Sequence, residues 1–233
     1  MGAKKATPYR KQAVLPEDTV LERAKQWGAQ NMKIAIGVGV AIVLVALVAG
    51  GIVLHERSRS AHAQARYALL VSRLPARGAP VSAEDWKKLL PDLRKFVASY
   101  GGTPSALDAR MQLARGYFET QNYAEAVKAA RGALGAASTE SSLRPLILYQ
   151  LAQALEAAGK PEESAKEWKA LQKLGAPAFE REAYWNLGRI LQEKKQLPKA
   201  EQMYELALQA PGGYPSSPQI DARLSAIKTA KTK

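Results

Sequence analysis

The stretch "YWNLGRILQEKKQLPKAEQMYELALQAP", Tyr184 to Pro211, decides the fold. It holds two amphipathic helical patterns joined by a Lys/Gln/Pro turn, with no histidine, no cysteine, no glycine-rich loop and no evident nucleophile. Its marks are Leu187-Gly188, Leu191, Ala200, Tyr204 and Ala207. The same spacing recurs as Leu151-Ala152, Leu155, Ser164, Trp168 and Leu171, and again as Leu113-Ala114, Tyr117, Ala126, Ala130 and Ala133. The small residues Ala114, Ala152 and Gly188 stand 38 and then 36 residues apart. A period of that size with two helices per unit predicts a helical repeat.

Each mark has a packing role. Ala114, Ala152 and Gly188 let the first helix of a unit approach its second, and Ala126, Ser164 and Ala200 offer the facing flat spot. Trp168 and Tyr204 then fill the space against the next helix, while Ala130 leaves looser packing in its unit. Between the helices, "AAGKPEE" and "EKKQLPKA" supply Gly or Pro turns, with proline at a helix start, where its missing donor costs little.

These marks resemble the tetratricopeptide repeat, which implies an all-α solenoid with strong repeats at about 107–134, 145–174 and 181–210. A degenerate first repeat is expected over 61–104: its first helix runs from Ala61 to Leu74, "PARGAPVSAED" interrupts it, and Phe96, Ser99 and Pro104 match a repeat's end. "SPQIDARLSAIK" reads as a capping helix over 218–228.

The chain carries 34 Lys/Arg against 21 Asp/Glu, a formal charge of +13. Residues 1–33 hold seven basic and three acidic side chains, and residues 55–233 hold 27 and 18. Along the helices the signs alternate, as in "EESAKEWK", which describes a solvated surface and not the basic stripe of a nucleic-acid reader; no nucleic-acid partner is expected. Cysteine is absent, which excludes disulfides, thiolate ligands and cysteine nucleophiles.

The gap in the charge map is "IAIGVGVAIVLVALVAGGIVL", residues 34–54, without one ionisable group. As a helix it spans roughly 31 Å, enough to cross a hydrocarbon core of about 30 Å. The run exceeds a signal peptide's apolar core and follows a long lead-in, so an uncleaved anchor is expected despite the Ala61-x-Ala63 pattern downstream. Ala35/Gly39, Gly37/Ala41 and Ala46/Gly50 place small residues four apart, a spacing that serves helix association and is also common composition in spanning helices. Trp27, Lys33, His55 and Arg57 are the expected membrane-interface residues, with lipid as partner. The basic residues before the span place the N-terminus inside. Residues 1–33 thus read as a basic segment with a short amphipathic helix, 34–54 as a transmembrane helix and 55–233 as the repeat domain.

With this architecture, and with Ala63, Ala65, Tyr67 and Leu70 on the helix after the span, the chain resembles the YfgM type of bacterial inner-membrane protein. That resemblance implies an ancillary subunit of the Sec translocon, its repeat domain in the periplasm and in contact with periplasmic chaperones or client polypeptides.

No enzyme chemistry is expected. His55 and His62 lack a third metal ligand, so no metal site is predicted. Glu162-Glu163 and Glu180-x-Glu182 sit at helix starts, where they complement the dipole. Gly101-Gly102 and Gly212-Gly213 border prolines and read as helix stops, so no cofactor is expected either. The resemblance to the tetratricopeptide repeat implies a concave protein-binding groove lined by first helices: Asp108, Met111, Arg115 and Phe118, then Tyr149, Gln153 and Glu156, then Trp185, Arg189 and Gln192. Tyr149 and Trp185 lie outside the packing marks and are expected to project into it. The expected function is a membrane-anchored adaptor between proteins. An assembly factor for another envelope complex, or an organelle import receptor with its repeats facing the cytosol, are the alternatives.

Overall fold

The computed structural model describes residues 18–75 and 79–231. Most of the basic N-terminal segment therefore lies outside the described residues. The chain divides into two compact units, 1–56 and 57–233.

In the first unit, α1 (Asp18–Gln30) is followed by α2, which starts at Met32 and continues to Val71. Asn31 stands between them, its backbone and side-chain amides both donating to the Trp27 carbonyl at 3.0 and 3.1 Å. Apolar side chains from Ile34 to Leu54 are exposed all round α2, so the helix is long and apolar enough to cross a membrane. Trp27 lies on α1, and Lys33, His55 and Arg57 lie on α2, all exposed.

The second unit is all-helical among the described residues. The end of α2 is followed by α3 (Ala83–Tyr100), α4 (Pro104–Glu119), α5 (Tyr123–Ala136), α6 (Arg144–Ala157), α7 (Pro161–Lys173), α8 (Pro177–Glu193), α9 (Leu197–Gln209) and α10 (Ser217–Lys231). From α3 onward each helix packs on the next, and α4 also touches α6. Proline stands in the first two positions of α4, α6, α7, α8 and α9, where its fixed φ favours the helix and no hydrogen bond is lost. Ser82 caps α3, its hydroxyl accepting from the Asp85 amide at 3.1 Å. Pro91 is tolerated inside α3 on its exposed side.

The first repeat has no separate opening helix at Ala61, because α2 passes through that point unbroken. No glycine or proline occurs between Gly51 and Pro75, so nothing in the chain stops the helix when its surface changes from apolar to polar. Its inner face brings Ala63, Tyr67 and Leu70 against Phe96 of α3, with the Tyr67 and Phe96 rings 5.8 Å apart.

The small–large seams are fully buried. Gly188 faces Tyr204, where an added Cβ would lie 2.8 Å from the ring, and Ala152 faces Ser164 beside Trp168. The Ser164 hydroxyl donates to the Ala152 carbonyl at 2.8 Å, satisfying a polar group that the flat spot would otherwise bury bare. A further seam joins α3 to α4: Trp86 is buried against Gly116.

The turn inside each repeat is built the same way three times. Gln121, Gly159 and Lys195 have φ of 60°, 74° and 59°. The amide of each reaches the carbonyl three residues back, and the next amide, of Asn122, Lys160 or Gln196, reaches Tyr117, Leu155 or Leu191 at 2.8 to 2.9 Å. This is the left-handed helix stop that normally takes glycine. Gln121 and Lys195 are exposed and carry the Cβ strain of that conformation. Gln121→Gly and Lys195→Gly should each raise stability by about 0.5–1 kcal/mol in denaturant unfolding, and Gly159→Ala should lower it by a similar amount.

Candidate protein-binding groove

The first helices α4 and α6 carry their apolar stripes toward neighbouring helices and leave a groove of about 360 Å³ between them. Met111, Arg115 and Phe118 come from α4, and Leu146, Tyr149, Gln150 and Gln153 from α6. The helical spacing of three and four residues puts 111, 115 and 118 on one ridge and 146, 149, 150 and 153 on the other. Met111 is only 7% exposed and packs with Ala133 and Ile147, so it forms the floor. Phe118 meets Tyr123 edge-on at 5.6 Å. Arg115 is exposed, with its guanidinium 5.7 Å from the Trp86 ring.

Tyr149 is half-buried and held from three sides. Its ring lies 5.7 Å from Trp168 and 5.1 Å from Phe179, its hydroxyl donates to Glu182 at 3.1 Å, and Gln153 donates to that hydroxyl at 2.7 Å. Burial first, and then the neighbouring Glu182 charge, push the Tyr149 phenol up to about 12. Burial also raises the Glu182 carboxyl, opposed by the hydrogen bonds from Tyr149 and Gln153.

Glu182→Gln keeps an acceptor for Tyr149 and removes the buried charge. A carboxyl raised on folding releases its proton first in the unfolded chain. The folded state therefore binds more protons between the two values, and stability falls as pH rises through that range. Asp108 and Glu167, also raised by burial, act in the same sense, while Glu84 and Glu162, lowered by Lys87 and Lys194, act in the opposite one. The melting temperature of Glu182→Gln, measured from pH 4 to pH 7, should gain on the parent as pH rises.

Five of the ten residues expected to line the groove meet there: Met111, Arg115, Phe118, Tyr149 and Gln153. The others are engaged elsewhere. Asp108 faces Tyr67, whose phenol is raised by burial and then by that carboxylate. Glu156 pairs with Arg189, which also holds Glu193 at 2.8 Å, and Gln192 accepts from the Tyr204 hydroxyl at 2.9 Å. Trp185 does not project into the groove: its ring lies 5.3 Å from Tyr204 and 5.8 Å from the Arg223 guanidinium of α10. The capping helix supplies the cover, a partner that lies far along the chain. Gln112 and Gln150 also line the groove, each with a buried side-chain oxygen that accepts no hydrogen bond among the described residues. Their offset of 38 residues equals that of the small marks, a signal available in the sequence.

Paired helices, small–large seams at the repeat spacing and three identical turns are now matched by the family comparison, whose tetratricopeptide repeat-like domain profile fits residues 25–229. The chain belongs to that family. Solved repeat structures are similar in fold. MamA 41-end from Desulfovibrio magneticus RS-1 is 13% identical with a TM-score of 0.55, covering 75% of this chain and 86% of its own. The "Podosopora anserina putative kinesin light chain nearly identical TPR-like repeats" is 18% identical with a TM-score of 0.51, covering 76% and 86%. YrrB, described as a TPR protein with an unusual peptide-binding site, is 16% identical with a TM-score of 0.51, covering 64% and 71%. No curated protein matches the sequence. Proteins built from these repeats bind other proteins, and the groove has the mixed character that such contacts use: an apolar floor, an exposed cation and amide side chains. Among the described residues no cluster of metal-ligating side chains occurs.

Proposed function

We propose that this chain is a membrane-anchored adaptor that holds a segment of a partner protein in the groove between α4 and α6. The observation that carries the reading is the groove itself, open and apolar-floored, with the exposed Arg115 at hand for a partner's polar groups. The peptide-binding site named for YrrB supports this use of the fold. The apolar run of α2 is the anchor, with Trp27, Lys33, His55 and Arg57 at its interfaces. The resemblance to the YfgM type extends the proposal: an ancillary translocon subunit with periplasmic repeats that presents chaperones or clients to the Sec machinery in a bacterial inner membrane.

Two measurements test it. The chain has no cysteine, so a single Thr139→Cys at an exposed turn is a unique label. Intact spheroplasts should label with an impermeant maleimide, and labelling only after lysis would favour the cytosol-facing receptor. In detergent pull-downs, Arg115→Glu with Phe118→Ala should cut partner recovery at least tenfold while leaving helicity unchanged. Full recovery would exclude the groove, and loss of chaperones alone would separate groove contacts from translocon contacts made by the span.

A further inference from the structure

The two ends of the solenoid are finished differently. At the C-terminal end α10 lays Ile220, Leu224 and Ile227, spaced i, i+4 and i+7, over the last repeat. At the N-terminal end the outer face of the α2/α3 pair carries a trough of about 470 Å³ floored by Leu69, Leu70, Phe96 and Tyr100. Leu69 is 68% exposed. Leu69 and Leu70 on α2 stand beside Tyr100 on α3 over the buried Phe96, a surface on which a further helix packs side-on.

Charge chooses the helix. Between residues 57 and 83 the chain carries five arginines and no Asp or Glu. Arg66 and Lys95 stand at the trough, and neither forms an ion pair among the described residues. The acid in the trough, Asp92, is already held by Arg73 at 2.6 Å. A cap for this end therefore needs apolar residues along one stripe, as α10 has, and carboxylates on its flanks.

We propose that the α2/α3 edge is a second docking surface, separate from the groove, that takes an acidic amphipathic helix of a partner protein. The partner helix covers Leu69 and Tyr100 and sets its carboxylates on Arg66 and Lys95.

The full chain in zwitterionic nanodiscs is titrated against two fluorescent synthetic helices with leucines at i, i+4 and i+7, one flanked by glutamates and one by lysines. The glutamate helix should bind at least tenfold tighter. Leu69→Glu should remove that preference, and Arg66→Glu with Lys95→Glu, which touches no core residue, should reverse it. Arg115→Glu with Phe118→Ala in the groove should leave it intact. Equal affinity for both helices, or a preference that survives the charge reversal, would overturn the proposal. Failure of both helices to bind, with Arg66→Glu altering only the response to added phosphatidylglycerol, would overturn it in favour of lipid headgroups. A dimer of the chain that dissolves on Leu69→Glu would overturn it in favour of a second copy.

Discussion

Trp86→Ala should cost about 3–5 kcal/mol in chemical unfolding. Trp86 is fully buried between α3 and α4, and its indole lies so close to Gly116 that an added Cβ there would sit 2.6 Å from the ring. Gly116→Ala alone should cost about 1–3 kcal/mol, because the ring is enclosed and Leu90, 3.0 Å from the same Cβ position, blocks retreat. In the Trp86→Ala background the new methyl enters a cavity, so its cost should fall close to zero. A double-mutant cycle checks this directly, and an additive result would mean that the two residues do not share the seam. The indole N–H donates no hydrogen bond among the described residues, so Trp86→Phe should be tolerated better than Trp86→Ala.

A second costly substitution is Gly188→Leu. The side chain would have to enter the space of a fully buried Tyr204 ring, with even its Cβ 2.8 Å from two ring carbons. Moving the ring also breaks the hydrogen bond from its hydroxyl to Gln192. The expected loss is about 3 kcal/mol, the upper part of the range for overpacking, read from denaturant midpoints at unchanged slope.

The two seams differ in how far they could be read in advance. Gly188 and Tyr204 belong to a small–large pattern that recurs at Ala152 and Trp168, so periodicity alone exposes their relation. Trp86 follows the irregular segment after Leu74 and has no counterpart at the repeat spacing, so its meeting with Gly116 emerges only from tertiary packing. The turns at Gln121 and Lys195 were hidden for a different reason. A left-handed residue is advertised by glycine, as at Gly159, and the chain uses glutamine and lysine at the other two. In the groove, helical spacing identifies the face on which Tyr149, Glu156 and Arg189 stand but not which residues pair across it. Tyr149 finds Glu182, and Glu156 finds Arg189, each 33 positions along the chain. Those cross-helix bonds turn part of the expected binding surface into structure and leave the α4/α6 portion open.

One contact at the C-terminal end crosses more than one helix boundary. Arg181, near the start of α8, donates to the carbonyls of Leu208, Ala210 and Pro215 and to the Ser217 hydroxyl. A solenoid in which each helix met only its neighbours would fray from its end one helix at a time. The arginine ties the beginning of α8 to the end of α9 and the entry of α10, so opening either later helix strands a partly buried guanidinium. In native-state hydrogen exchange, the amides of α8, α9 and α10 should share one opening free energy as a single foldon, with Arg181→Ala separating α10 from the pair.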